Sequence, residues 1–163
     1  MLMSFCEWLQ GTPLALFIAE SSWAFPTVES VHVLAIVLVV GSISVVDLRL
    51  LGIASANRPV SDVSNDVLPV TWACFAIAAV TGLLLFVSKA TSYIENWPFR
   101  IKMILLVLAG LNMLAFHFLT YREVSGWDHA RRPPPAARTA GALSLLFWIG
   151  VVAFGRWIGF TVH

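Results

Sequence analysis

Charge is what this chain has little of. Asp, Glu, Lys and Arg make up 12% of its 163 residues, against 59% hydrophobic, and the net charge is +1. Soluble domains carry about twice that share of charge, so an ordinary soluble domain is excluded. A balance this close to zero also leaves no basic surface for nucleic acid. Cysteine is scarcer still: Cys6 and Cys74 stand apart with no CxxC spacing, which rules out a disulfide framework. Cys74, inside an apolar run, reads as a small core residue. A Gly-rich phosphate loop, a zinc spacing and a nucleophile elbow are all missing, which argues against hydrolases and nucleotide-driven machines. Residues 1–25 hold no Lys or Arg but do hold Glu7 and Glu20, unlike a signal peptide.

Long apolar runs are what the chain has instead. Residues 27–51, 69–89, 99–121 and 139–160 each suit a membrane-spanning helix, which needs about 20 apolar residues. The expected fold is all-α: an integral membrane four-helix up-and-down bundle over 26–163, with short interfacial helices over 1–25. Those two helices are expected at Leu2–Gln10 and Pro13–Ser22, the second capped by Thr12 with Pro13 in its first turn. The segments Ser55–Pro69, Thr91–Phe99 and Arg122–Thr139 read as connections. Cys74, Ala78, Thr81 and Ser88 line one face of the second span. Gly141, Ser144, Trp148, Gly155 and Gly159 line one face of the fourth, and both sets read as close-packing seams. The loop 122–139 holds Arg122, Arg131, Arg132 and Arg138. The positive-inside bias therefore puts that loop in the cytoplasm and both termini outside, in a bacterial inner membrane.

The first span breaks the apolar pattern in an ordered way. At about 100° per residue, Glu29, His32, Ile36, Ile43 and Asp47 fall within a stripe about 60° wide. Ionisable groups within a bilayer cost roughly 2.5–3.5 kcal/mol each on the insertion scale, so this stripe is expected to face other protein, water or a cofactor. Up-and-down packing brings Glu29, His32, Lys102 and Arg156 to one end, a set suited to haem propionates or a quinone headgroup. Singly, Lys102 and Arg156 also suit snorkelling to the interface. Asp47, Arg49 and Arg138 gather at the other end and read as structural ion pairs. Asn112 and His117 sit on the third span. Asn112 suits an interhelical hydrogen bond, and His117 suits either packing or haem ligation. His32 and His117 differ in level by roughly 15–20 Å at 1.5 Å rise per residue, too far to share one iron within a chain.

Several stretches carry a family resemblance: ESVHVLAIVLVVGSISVVDLRLLG, TGLLLF, NWPFRIKMILLVLAGLNMLAFH and SLLFWIGVVAFGRWIGF. Together they resemble a family of small bacterial membrane proteins known only as a domain of unknown function, over nearly all of 29–160. That likeness implies a fold and no activity. More loosely, the first and third spans look like the HemJ-type protoporphyrinogen oxidases and the CopD copper-resistance membrane proteins. Under the HemJ likeness, His32, Arg49 and Lys102 are the counterparts of a helix His, a later Arg and a Lys associated with haem binding. The aromatic-rich stretch that follows the HemJ histidine is here the aliphatic VLAIVLVVGSISVV.

The expected function is thus a membrane protein that binds haem b, or serves quinone-linked electron transfer, in a pocket near the outer face. Cofactor-binding candidates are His32, Glu29, Lys102, Arg156, His117 and Asn112, with His32 and His117 as candidate haem-iron ligands. Such a protein would be an oxidoreductase or electron-transfer subunit, working in a lipid bilayer as a homodimer or beside membrane redox subunits. A cofactor-free assembly subunit is the alternative. A copper or small-solute permease is a third reading, opposed by the lack of a Met- or Cys-rich ladder on any helix.

Overall fold

A computed structural model describes residues 1–130 and 132–161, and every regular element in that range is helical. Arg131, one of the loop arginines counted above, lies outside the described residues. Four helices are long and apolar enough to cross a membrane: α3 (Ala24–Leu50), α4 (Val60–Ser88), the run Trp97–Gly126 and α7 (Pro135–Thr161). The fold is all-α and consistent with a four-helix bundle.

Local sequence signals set several of the helix ends. Thr12 caps α2 (Pro13–Glu20), its hydroxyl accepting from the Ala15 amide at 3.4 Å, just after α1 (Leu2–Gln10). α3 ends at Gly52, whose φ of 73° is the left-handed turn that glycine accepts freely. There the Ile53 amide bonds the Leu48 carbonyl at 3.0 Å and the Gly52 amide bonds Arg49 at 3.0 Å, the paired closure of a Schellman turn. Asn96 caps α6 (Trp97–Ala115), accepting from the Phe99 amide at 3.1 Å with Pro98 in the first turn.

Two connections are more helical than their composition implies. α4 begins at Val60 rather than at 69 and runs through Pro69. Its cap comes from a distant loop: the Asp128 carboxylate accepts from the Ser61 amide at 2.8 Å and the Ser61 hydroxyl at 2.6 Å. The Asp128 carbonyl also takes the Val60 amide at 3.2 Å. A cap supplied from elsewhere in the fold leaves no local mark. Between α4 and α6 the chain forms α5 (Ala90–Glu95) where a turn is expected. The third span leaves α-geometry after Ala115, passing through a π-helical segment Phe116–Thr120 and a 3-10 segment Tyr121–Gly126.

The helices pack as two pairs. α3 lies along α4 and α6 along α7, and a seam between α3 and α7 joins the pairs. α4 and α6 do not pack along each other. They meet at one end, where Phe86 stacks on Phe99 (5.6 Å, 14°) and Tyr93 approaches Phe99 at 5.3 Å. The expected seam on α4 is present, with Cys74, Ala78, Thr81 and Ser88 all buried. On α7 the seam is only partly as expected. Gly141 touches the α3 backbone, a Cβ there lying 3.0 Å from the Asp47 carbonyl, while Gly159 faces open space and Gly150 receives Leu105. Leu34, Leu83, Val107 and Leu146 turn outward and are more than half exposed, the apolar coat that hydrocarbon requires.

The inward face of α3 is turned by about 70° from the polar stripe. It centres on Ala35 and Val39, both buried, leaving His32 half-buried and Glu29 exposed. Short and branched side chains let α3 close on α4, and that contact outweighs any gain from turning Glu29 inward.

Candidate functional site

His32 is held by α4 through two neighbouring residues. Its Nδ1 lies 3.0 Å from the Thr81 hydroxyl oxygen. That hydroxyl donates its one hydrogen to the Ile77 carbonyl at 2.7 Å, so at the imidazole it can only accept. Nδ1 therefore carries the hydrogen, and Nε2 keeps its lone pair. The next residue is Gly82, where a Cβ would stand 2.8 Å from His32 Cε1. The glycine is thus a seat for the ring. A hydrogen bond to one nitrogen that frees the other is how proteins prepare a histidine to accept a proton or bind a ligand.

Lys102 reaches the same level from α6. Its chain lies on Gly155 of α7, with Nζ 3.5 Å from where a Cβ would be, and its charge acts on the His32 ring. The Phe86–Tyr93–Phe99 cluster stands one turn beyond: Phe86 lies four residues past Gly82 on α4, and Phe99 three before Lys102 on α6. His32 and Lys102 therefore stand at the end of the bundle where the aromatic cluster lies, beside helices α4 and α6 that do not pack along each other. Sequence reading placed Thr81 in a packing seam and missed its role at His32. The adjacent Thr81-Gly82 pair facing a helix-borne His was the available signal.

Glu29 and Arg156 are not part of that pair. Both are exposed and border a separate open groove with Ser30, Val33 and Leu34. The Arg156 guanidinium lies over the Phe160 ring at 5.0 Å. Glu29 neither bonds nor orients His32, whose ring is turned to Thr81. It does act on Tyr93: burial first, then the Glu29 charge, raises the Tyr93 phenol above its ordinary value. Asn112 donates to the Ala140 carbonyl at 2.9 Å, the interhelical bond its position favours, and so stands away from the His32 level. His117 is exposed on the π-helical segment, stacked on Tyr121 at 5.1 Å and 13°.

At the far end the expected ion pairs are replaced by another arrangement. Asp47 and Arg49 are two residues apart, about 200° around the helix, so they face opposite ways. Asp47 is buried against α7, beside Ser144 and the Gly141 backbone. Arg49 is fully buried and donates to carbonyls alone: Nε to Arg58 at 2.7 Å, and Nη2 to Asp128 and Ala130 at 3.2 Å each. Arg138 is exposed and lines a shallow groove with Leu51 and Leu143. Among the described residues the one ion pair is Arg58–Asp66 at 2.6 Å, on the surface. Asp128 is itself held below the usual carboxylate range. Burial pushes it up, but the Ser61 hydroxyl and amide, the His129 charge and the Val60 amide together outweigh that.

A haem shared by His32 and His117 does not fit one chain, because the two lie at opposite ends of the bundle. Neither the Glu29–Arg156 groove nor the Arg138 groove includes His32. Among the described residues no three His, Cys, Asp or Glu side chains converge to hold a metal ion. Comparison with known proteins returns no matching curated protein and no matching solved structure. A family match extends over residues 5–161, almost the whole described chain, and on that ground the protein belongs to the family of unknown function DUF6644.

Proposed function

We propose that this chain is a membrane protein that binds the headgroup of a lipid-soluble quinol between His32 and Lys102. The observation that supports it is the His32–Thr81–Gly82 arrangement, which leaves Nε2 bare of hydrogen beside a lysine. Nε2 accepts a quinol O–H, and the Lys102 ammonium donates to a ring oxygen. That α4 and α6 do not pack along each other suits entry from the hydrocarbon, and the nearby Phe86–Tyr93–Phe99 rings suit a planar guest. Electrons would leave to another subunit of a membrane redox complex. In a bacterial inner membrane the arginine bias of the loops supports both termini outside, with this site in the outer half.

Binding of a short-chain benzoquinol to the protein in lipid nanodiscs tests the reading. A hydrogen bond involving a charged group is worth about 1.5–3 kcal/mol, so Lys102→Met should weaken affinity by about tenfold or more. His32→Ala should do the same. Unchanged affinity in both variants would remove the quinol site and leave the assembly-subunit reading, which co-purifying partner subunits would support. A reduced-minus-oxidised absorption band lost in His32→Ala would instead assign His32 to haem.

A further inference from the structure

The groove bordered by Glu29 and Arg156 includes neither His32 nor Lys102 and has its own chemistry. It measures about 510 Å³, opens outward between α3 and α7, and is floored by Val33 and Leu34. Both floor residues are more than half exposed, so the groove faces the hydrocarbon. Its two charges border one space, yet among the described residues they form no ion pair. Opposite charges that share a groove without meeting leave room for a guest that carries both.

Depth narrows the guest. Glu29 lies five residues into α3 and Arg156 five before the end of α7, about 8 Å from the helix ends at 1.5 Å per residue. Trp23, Trp97 and Trp157 at the same end are at least half exposed, as interfacial tryptophans are. That is the level of lipid headgroups. The polar groups are also prepared. The Arg156 guanidinium lies 5.0 Å over the Phe160 ring and is exposed, so its N–H groups can meet a phosphate. The Ser30 hydroxyl donates to the Pro26 carbonyl at 2.7 Å, so only its lone pairs remain for a ligand. Glu29 and Ser30 are then both acceptors and call for a donor cation, which a primary ammonium supplies and a trimethylammonium does not.

We propose that this groove is a docking site for a phospholipid with a phosphoethanolamine headgroup: phosphate on Arg156, ammonium on Glu29 and Ser30, acyl chain along Val33 and Leu34. The test is lipid retention, read by native mass spectrometry after exchange into equal amounts of phosphatidylethanolamine, phosphatidylcholine and phosphatidylglycerol. Phosphatidylethanolamine should be retained about tenfold over phosphatidylcholine. Glu29→Gln should abolish that preference, Glu29→Asp should keep part of it, and Arg156→Gln should lower retention of all three. Both side chains are exposed, so an unchanged unfolding temperature will show that the variants fold, and an unchanged benzoquinol affinity in Arg156→Gln that the two sites are independent. Equal retention of phosphatidylethanolamine and phosphatidylcholine overturns the proposal. So does a preference for phosphatidylglycerol that Glu29→Gln leaves intact, or retention of no lipid at all.

Discussion

One hydroxyl decides which nitrogen of His32 can act. Because Thr81 gives its hydrogen to Ile77, the imidazole must donate from Nδ1 and present Nε2 as an acceptor. Thr81→Val keeps the shape and removes the acceptor. The ring should then lose its fixed tautomer, visible as mixed Nδ1 and Nε2 protonation in the nitrogen NMR spectrum, and benzoquinol affinity should fall several-fold. Thr81→Ser should restore both, and a spectrum unchanged in Thr81→Val would show that the hydroxyl does not set the tautomer. Tyr93 reports on Glu29 in the same way. Burial and then the Glu29 charge raise its phenol, so Glu29→Gln should lower the titration midpoint without bringing it to the ordinary value of about 10. The chain has two tyrosines, and a Tyr121→Phe background leaves tyrosinate absorbance to Tyr93 alone.

Among the elements, the contact between α3 and α4 shows how backbone spacing makes the site. At Gly82 an added methyl would sit 2.8 Å from His32 Cε1, whereas at Gly41 it would meet nothing within 4 Å. Gly82→Ala should therefore displace the imidazole, reduce benzoquinol affinity at least tenfold, and lower the unfolding temperature. Gly41→Ala should leave affinity unchanged and help the helix, since alanine is favoured over glycine inside helices by about 0.5–1 kcal/mol. Equal effects of the two substitutions would mean that the imidazole is not seated on Gly82. Features carried by a residue's own type and position were legible in the sequence: the Thr12 end, the small-residue seam of α4, and an interhelical bond from Asn112. Features set by distant partners were not. The early start of α4 depends on Asp128, and the facing of α3 depends on how closely Ala35 and Val39 approach α4. That Asp47 and Arg49 do not pair with each other was readable, since residues two apart lie about 200° around a helix. What Arg49 binds instead was not, because carbonyls leave no residue signature.

For the molecule as a whole, the two helix pairs are joined at the Arg49 end by a knot of backbone groups. Arg49 gathers the carbonyls of Arg58, Asp128 and Ala130, and Asp128 turns back to cap α4. The loop after α3, the start of α4 and the loop before α7 are thereby one unit. Arg49→Leu strips three carbonyls of their donor at once and buries no replacement, and should cost about 3 kcal/mol. Arg49→Lys should recover only part of it, because an ammonium cannot reproduce the guanidinium fork. Loss of the Asp128 cap in Asp128→Ala should cost about 1 kcal/mol. That contribution has a definite pH dependence. The folded protein holds the Asp128 carboxyl below its unfolded value, which is about 3.9. The cap's charge-dependent stability is therefore complete above that value and is lost as the pH falls through the lower, folded one. Thermal unfolding of wild type and Asp128→Ala should run at a constant separation from neutral pH down to about 4 and converge below it. A separation that persists unchanged into stronger acid would show that the cap works without its charge.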